Sequence, residues 1–254
     1  MNNIKKKLNK YIEKKKQISC ITCYDASFCK ILSDSNVDIV LVGDSLGMVI
    51  KGEENTHNVS IDEILYHTNC VATYKKNFIL MVDMPINSYY NPELAVLNAK
   101  KILDVNADII KIEYKDEHKS VVENLISKNI PVCAHLGYLP QYTYKKEDTR
   151  IYGKDKTEHK QIFEQAKTLE NLGVDIILLE CVDSNLSKLI TDSINIPVIG
   201  IGSGEYCNGQ VQVLYDIIGI SNNPPRFSKD YLKGSDSVAD AINKFCNYVK
   251  KIKY

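Results

Sequence analysis

Four apolar, β-branched runs each end on an acid. The run 37–42 stops at Gly43 and is followed by Asp44 and Ser45. The run 78–82 ends at Asp83, 108–112 at Glu113, and 175–179 at Glu180. Four carboxylates at the exits of buried strands repel one another and resist desolvation unless a cation or a proton-transfer role compensates them. Asp44 and Asp83 are hard oxygen donors with no Cys or His beside them in sequence. Such a pair suits Mg²⁺, which keeps waters and completes its shell from substrate. The competing reading is that each Asp caps the helix that follows; several acids at successive exits favour the metal. Glu180 ends an unbroken apolar run, so burial raises its expected pKa toward that of a general base. Its plainer alternative is a salt-bridged structural acid. Lys111 shares a strand face with Glu113, two residues on. It could hold a substrate carboxylate or simply neutralise that acid. His135 shares its face with Cys133 and reads as a hydrogen-bonded core histidine rather than the base. Gly200-x-Gly202-x-Gly204, with Ser203 inside it, could let backbone amides approach an anion or serve tight packing.

These residues need a frame that brings strand ends together. The 254-residue chain has the size of one barrel domain. A leading helix is predicted over residues 1–17, with Ile4, Leu8, Tyr11 and Ile12 on one stripe. Strand signals follow at 18–24, 37–42, 78–82, 108–113, 130–137, 175–180 and 196–204, the last running into glycines, with a weaker eighth at 210–220. Helical patterns alternate with them, one opening on the capping box Ser60-x-x-Glu63. Residues 47–58 read as a polar loop, and 138–156 as a long polar loop or lid. Residues 236–251 form a closing helix. Eight βα units predict a (βα)8 TIM barrel, with the site at the carboxyl ends of its strands. An open doubly wound sheet ranks second, because it would place phosphate-binding glycines after the first strand. Here that turn is Tyr24-Asp25-Ala26.

Composition narrows the partners. Lys+Arg and Asp+Glu both number 32, so no net charge argues for nucleic acid or for a solvating tail. No run reaches membrane-span length. The Lys-rich start reads as a helix packed on the body rather than as a targeting or membrane-surface segment. Eight cysteines, several within apolar runs, suit reduced core thiols in a cytoplasmic protein. Cys20 and Cys23 have redox or zinc spacing, yet fall on opposite strand faces with no second pair.

The strings Leu41-Val42-Gly43-Asp44-Ser45-Leu46-Gly47-Met48, Asp83-Met84-Pro85, Lys111-Ile112-Glu113, His135-Leu136-Gly137, Leu179-Glu180-Cys181 and 196–204 occur in order along nearly the whole chain. Together they resemble the ketopantoate hydroxymethyltransferase family. The resemblance implies a (βα)8 barrel, Mg²⁺, a decameric homo-oligomer and the first committed step toward pantothenate. In that step a hydroxymethyl group passes from 5,10-methylenetetrahydrofolate to 3-methyl-2-oxobutanoate, giving 2-dehydropantoate. By motif position, Asp44 and Asp83 would bind the metal, with Glu113 on the metal or one of its waters. Asp44, Ser45, Asp83 and Lys111 would meet the keto acid, and Glu180 would be the base. Four places depart from the family pattern. Tyr114-Lys115 and Glu147-Asp148 stand where glycine pairs are usual, Asn208 replaces an Asp, and Ile86 replaces a Phe. The competing functions are a Mg²⁺-dependent 2-oxo acid carbon–carbon lyase or mutase of the same barrel type, and a catalytically silent oligomeric relative.

Overall fold

Strands buried on both faces read as unbroken apolar runs because helices cover the outside of a parallel sheet while its interior is packed with side chains. The computed structural model describes residues 3–144, 150–221 and 223–252. In chain order the strands are β1 (Ile18–Thr22), β2 (Ile39–Val42), β3 (Ile79–Asp83), β4 (Ile109–Glu113), β5 (Val132–Gly137), β6 (Ile176–Glu180), β7 (Val198–Ile201) and β8 (Gly209–Gln212). All neighbours pair in parallel, and β8 returns to β1, closing a (βα)8 barrel. The helices are α1 (Asn3–Glu13), α2 (Ala26–Ser33), α3 (Leu46–Val49), α4 (Ile61–Ala72), α5 (Pro92–Asp104), α6 (Lys119–Ser127), α7 (Lys156–Leu172), α8 (Ser184–Ser193), α9 (Leu214–Ile217) and α10 (Val238–Lys251).

Two apolar layers result. Outward-facing strand residues such as Ile21, Val40, Leu80, Ile110 and Ile177 pack against the helices. Inward-facing Ile18, Ile39, Ile79, Ile109 and Ile176 fill the amino end of the barrel, where Leu8 of α1 packs on them with Ile4 and Tyr11 alongside. The leading helix therefore closes the floor of the barrel. Farther along the strands the inward positions change from isoleucine to Asp83, Lys111, Glu113, His135 and Glu180. Cys20 joins the interior layer and Cys23 the outer one, as their spacing predicted.

A repeated clasp aligns the strands at the floor. The residue before each even-numbered strand accepts a backbone N–H at the amino end of the preceding odd-numbered strand. Asp38 takes Ser19 N at 2.9 Å, Asp108 takes Leu80 N at 2.8 Å, and Asp175 takes Val132 N at 3.0 Å. Asn208 takes Val198 N at 2.9 Å. For the three aspartates the same residue also donates its own N–H back to the clasped residue, so both partners lose an otherwise unpaired group. Asn208 keeps the needed acceptor oxygen, which is why an amide serves where the family usually has an acid.

Several boundaries differ from expectation. The loop 47–58 begins with the helical turn α3. The eighth strand ends at Gln212, and the apolar residues after it form α9. Within 138–156, Pro140–Tyr142 makes a 3-10 turn with Gln141 buried, so this part of the stretch belongs to the packed structure. A polar side chain satisfied by tertiary partners carries no apolar periodicity, which hid the turn. The strand clasp generates a prediction. Asn208→Ala leaves the Val198 N–H without its acceptor and lowers unfolding free energy by about 1–3 kcal/mol in urea titration. Asn208→Asp stays within roughly 0.5 kcal/mol of the parent.

Candidate active site

The carboxyl end of the barrel gathers the predicted acids around one ammonium. Lys111, inward on β4, donates to Asp83 Oδ1 on neighbouring β3 at 2.6 Å. The sequence left Lys111 either to hold a substrate carboxylate or to neutralise Glu113; the register of β3 on β4, which sets Asp83 beside Lys111, makes Asp83 its ion-pair partner. The other carboxylate oxygen of Asp83 accepts the backbone N–H of Asp44 at 3.0 Å. Gly43 permits this approach, since a Cβ there would sit 2.9 Å from Ser45 Oγ and 3.4 Å from Asp83 Oδ2. Ser45 Oγ lies 2.8 Å from the Tyr24 hydroxyl at the exit of β1. Asp44 is held by an amide and not a lysine: its Oδ2 accepts Gln141 Nε2 at 2.7 Å.

Gln141 is the residue that sequence reasoning missed. Its side chain also donates to Met84 O at 3.0 Å and accepts the Tyr89 hydroxyl at 2.6 Å. Its backbone N–H reaches Glu113 Oε2 at 3.1 Å. One glutamine thus binds the loop after β5 to the exits of β2, β3 and β4. The only sequence signal was Leu139-Pro140, an apolar-proline step inside a polar stretch. Tyr24 was also overlooked, though the strand-exit rule that picked the acids would have found it.

Glu180 ends β6 with its Oε2 3.3 Å from His135 Nε2, while His135 Nδ1 is 3.8 Å from Glu113 Oε1. Neither ring nitrogen forms a well-directed hydrogen bond. Burial, with Lys111 adding to it, holds the His135 pKa far below the usual histidine range, so the ring is neutral. The Glu180 backbone is locked. Its carbonyl accepts Tyr138 N at 2.8 Å, and a Cβ at Gly137 (φ +95°) would fall 2.3 Å from that oxygen. Cys181 follows in the left-handed region at φ 52°, a strained conformation for a side-chain-bearing residue. Ser203 completes the frame, its hydroxyl donating to Leu179 O and accepting Val182 N–H. The glycine run packs rather than cradles: Gly202 lies against the Phe227 ring and Gly204 against Ser184.

Electrostatics follow from crowding. Burial, reinforced by Asp83, pushes Asp44 up to about 7. Glu113 is driven well above the carboxylate range by burial and by Asp44. Glu180 rises to about 7 chiefly through burial, with Lys111 pulling it down and Asp83 pushing it up. Its side chain still keeps 19% of its surface exposed, against 1% for Glu113, so it is the acid that can exchange protons with an incoming molecule. Burial alone would lower the Lys111 pKa, but Asp83, Asp44 and Glu113 outweigh it and hold the ammonium charged.

Four carboxylates face one lysine, so the donor set is all-oxygen and short of positive charge. Among the described residues no three His, Cys, Asp or Glu side chains converge closely enough to hold an ion by themselves. Asp44 and Asp83 are directly linked, whereas Glu113 is turned to the Gln141 backbone. This fits a hard divalent cation that takes two protein carboxylates and fills its shell with water and substrate oxygens.

Two departures from the family pattern are accommodated. Tyr114 is buried in the outer core, and neither it nor Lys115 adopts a positive φ. Lys115 Nζ stands 3.9 Å over the Tyr142 ring. Glu147 and Asp148 lie outside the described residues, and nothing in the structure explains Ile86.

Lys111→Met leaves Asp83 buried without its counter-charge. It should cost about 3–5 kcal/mol at neutral pH, with Asp83→Asn in the same chain recovering part of the loss in a double-mutant cycle. A second expectation concerns Glu180, whose folded pKa of about 7 lies above the ordinary value of 4.5. The folded state holds this proton more tightly than the unfolded chain does. Its favourable contribution is therefore complete below about 4.5 and is lost as pH rises through about 7. In metal-free protein Glu180→Gln should gain on the parent by ~3 kcal/mol between pH 4 and pH 8, measured by urea unfolding.

The chain is similar to known proteins over nearly its whole length. The family profile described as Ketopantoate hydroxymethyltransferase matches residues 3–254. A Marinobacter nauticus protein named 3-methyl-2-oxobutanoate hydroxymethyltransferase is 41% identical over 244 residues, covering 96% of this chain and 92% of its own. A Nitrosococcus oceani protein of the same name is 40% identical over 247 residues, covering 96% and 94%. Among solved structures, phosphonopyruvate hydrolase in complex with oxalate and Mg²⁺ superposes with a TM-score of 0.62 at 11% identity, covering 84% of this chain and 81% of its own. The 2,3-dimethylmalate lyase structure gives 0.61 at 10% identity, covering 83% and 78%. These last two likenesses speak to the barrel alone. With its profile matched from end to end and its strand-exit motifs in place, the chain belongs to the ketopantoate hydroxymethyltransferase family.

Proposed function

We propose that this protein is a Mg²⁺-dependent 3-methyl-2-oxobutanoate hydroxymethyltransferase, using 5,10-methylenetetrahydrofolate as donor and producing 2-dehydropantoate for pantothenate synthesis. The observation that carries the reading is the arrangement at the barrel mouth. A linked pair of aspartates lies beside a charged lysine, and a glutamate poised near neutrality stands across from them on β6. The relatives' names, at about 40% identity over nearly the full chain, supply the substrate.

Asp44 and Asp83 would hold Mg²⁺. When bound there, the ion supplies Lewis-acid polarisation of the keto oxygen and makes the C3 proton more acidic. Lys111, already charged, and Ser45, whose hydroxyl is set by Tyr24, orient the substrate carboxylate. Glu180 takes the C3 proton at its carboxylate, and the carbon so freed bonds to the one-carbon unit of the folate; both C–N bonds of the methylene bridge break, water supplies the hydroxyl oxygen, and tetrahydrofolate leaves with its two nitrogens protonated. Neutral His135, 3.3 Å from Glu180, limits where that carboxylate can swing without competing as a base. Glu113 fixes the Gln141 backbone, and the Gln141 side chain covers Asp44, keeping bulk water from the pair. The eight cysteines are free thiols, seven of them buried, which supports a reducing, cytoplasmic setting. No helix among the described residues is long and apolar enough to cross a membrane. Small molecules are the partners in this reading, with neither nucleic acid nor membrane engaged. The decameric homo-oligomer rests on the family resemblance.

The decisive experiment follows deuterium exchange at C3 of 3-methyl-2-oxobutanoate by proton NMR, with and without Mg²⁺ and folate. Exchange should need Mg²⁺ and should fall as pH is lowered and Glu180, raised by burial, takes up its proton. Glu180→Gln should lose exchange by at least about 10²-fold while still binding the keto acid. Persisting exchange in that variant removes Glu180 as the base. Mg²⁺ should raise the thermal midpoint of the parent and not of Asp83→Asn. Unaltered methylenetetrahydrofolate during turnover of the keto acid would instead indicate a lyase.

A further inference from the structure

The segment 139–144 follows β5 and lies across the exits of β2, β3 and β4 as a strap. Pro140, with its φ fixed, opens a 3-10 turn, and the Tyr142 N–H and the Thr143 hydroxyl close it by donating to Leu139 O at 3.0 and 2.8 Å. The middle residue of that turn, Gln141, is 1% exposed. Every polar atom of its side chain is used. Both Nε2 hydrogens are spent, on Asp44 Oδ2 at 2.7 Å and on Met84 O at 3.0 Å, while Oε1 accepts the Tyr89 hydroxyl. The amide has one workable orientation, because a flip would set its oxygen against two acceptors. At Asp44 the result is asymmetric. Oδ2 takes the amide, whereas Oδ1 meets no hydrogen-bond donor among the described residues.

The strap is anchored at two further points, neither of which touches Asp44. On the β4 side, His118 Nδ1 accepts the Lys115 N–H at 3.2 Å, so Nε2 of the neutral ring carries the proton and donates it to the Tyr142 hydroxyl at 3.2 Å. Lys115 Nζ stands 3.9 Å over the Tyr142 ring, a contact that a glycine at 115 would not make. On the β2 side, His57 Nε2 lies 3.1 Å from Pro140 O, and its ring lies 4.5 Å from that of Tyr144. The loops after β2 and β4 thus grip the strap on either side of Gln141.

An amide on a carboxylate that is to carry a cation acts either as a competitor, which must leave first, or as a brace. The open Oδ1 decides for the brace, since ligating carboxylates are oriented by hydrogen bonds from outer partners. We propose that Gln141 is a positioning residue of the cation site, holding Asp44 so that its free oxygen meets the ion, and that the strap makes cation affinity depend on Lys115 and Tyr142. This rests on the reading that Asp44 and Asp83 hold a divalent cation, and it adds residues that touch neither the ion nor the substrate.

Binding of Mn²⁺, a hard octahedral probe like Mg²⁺, to the full-length protein tests the brace without turnover, followed by electron paramagnetic resonance. The parent should bind one ion per chain, and Asp83→Asn should lose it. Gln141→Met, which keeps the bulk and removes the amide, should weaken binding about 10–100-fold. Lys115→Met with Tyr142→Phe leaves Gln141 and all four acids in place and should weaken it about 2–5-fold. By linkage, Mn²⁺ should slow amide hydrogen exchange at residues 141–143 in the parent, and less so in that double variant. Saturating Mg²⁺ should restore C3 deuterium exchange in Gln141→Met to within about threefold of the parent, as a defect confined to cation binding requires. Should Gln141→Met fail to fold, Tyr89→Phe decides the matter, because it releases Oε1 and should weaken Mn²⁺ about threefold. Mn²⁺ binding that is unchanged or tighter in the Gln141 or Tyr89 variant, while Asp83→Asn stays silent, overturns the brace and leaves the cation site standing. A loss of C3 exchange that saturating Mg²⁺ does not restore also overturns it. Mn²⁺ binding that is absent from the parent, or that persists in Asp83→Asn, sinks the cation reading and the brace together.

Discussion

The Lys111–Asp83 pair is the interaction on which the mouth of this barrel depends. Four carboxylates converge where the interior side chains stop being apolar, and one ammonium stands among them. Desolvation makes each charge costly, and mutual repulsion adds to it. The pair anchors Asp83, which in turn receives the Asp44 backbone N–H, so one ion pair orders the two residues best placed to carry a cation. The remaining acids adjust by a rise in pKa, and a carboxylate that titrates near neutrality, as Glu180 does, suits a general base because its ionised form is both populated and basic enough to take a proton.

Around that centre the fold spends most of its polar hydrogen bonding on position. The Asx clasps at the floor bind each odd-numbered strand to the next even-numbered one, and register at the floor sets register at the mouth because the strands are short and continuous. Displacement of β3 on β4 by one residue would turn Asp83 or Lys111 out of the barrel. At the mouth, Gln141 performs the equivalent task across the loops. Its bonds to Asp44, Met84 and Tyr89 explain how a carboxylate with no lysine of its own remains ordered. The positive-φ Cys181 and the glycine at 137 show the same economy around Glu180, whose backbone is constrained on both sides while its carboxylate keeps access to solvent.

The two ends of the barrel carry opposite charge problems. The mouth has an excess of buried acid, and the floor, closed by α1, has an excess of lysine. A zero net charge for the chain conceals both, since a sum over residues contains no information about where they meet.

What the amino-acid order determined by itself was the barrel and its acids. Eight apolar runs separated by helical patterns admit few architectures, and a charged residue at the end of such a run is conspicuous against it. Asp44, Asp83, Glu113 and Glu180 were legible for that reason, as was the capping box at Ser60 and Glu63. Only the tertiary structure decided which charges pair and what the polar loops do. Lys111 took Asp83 rather than the acid two residues along its own strand. Gln141 met Asp44 from 97 positions away, and the lysines of α1 joined Lys250 from the far end of the chain. Each of these rests on inter-strand register or loop closure, and such contacts leave no local periodicity, because their partners are neighbours in space and strangers in sequence.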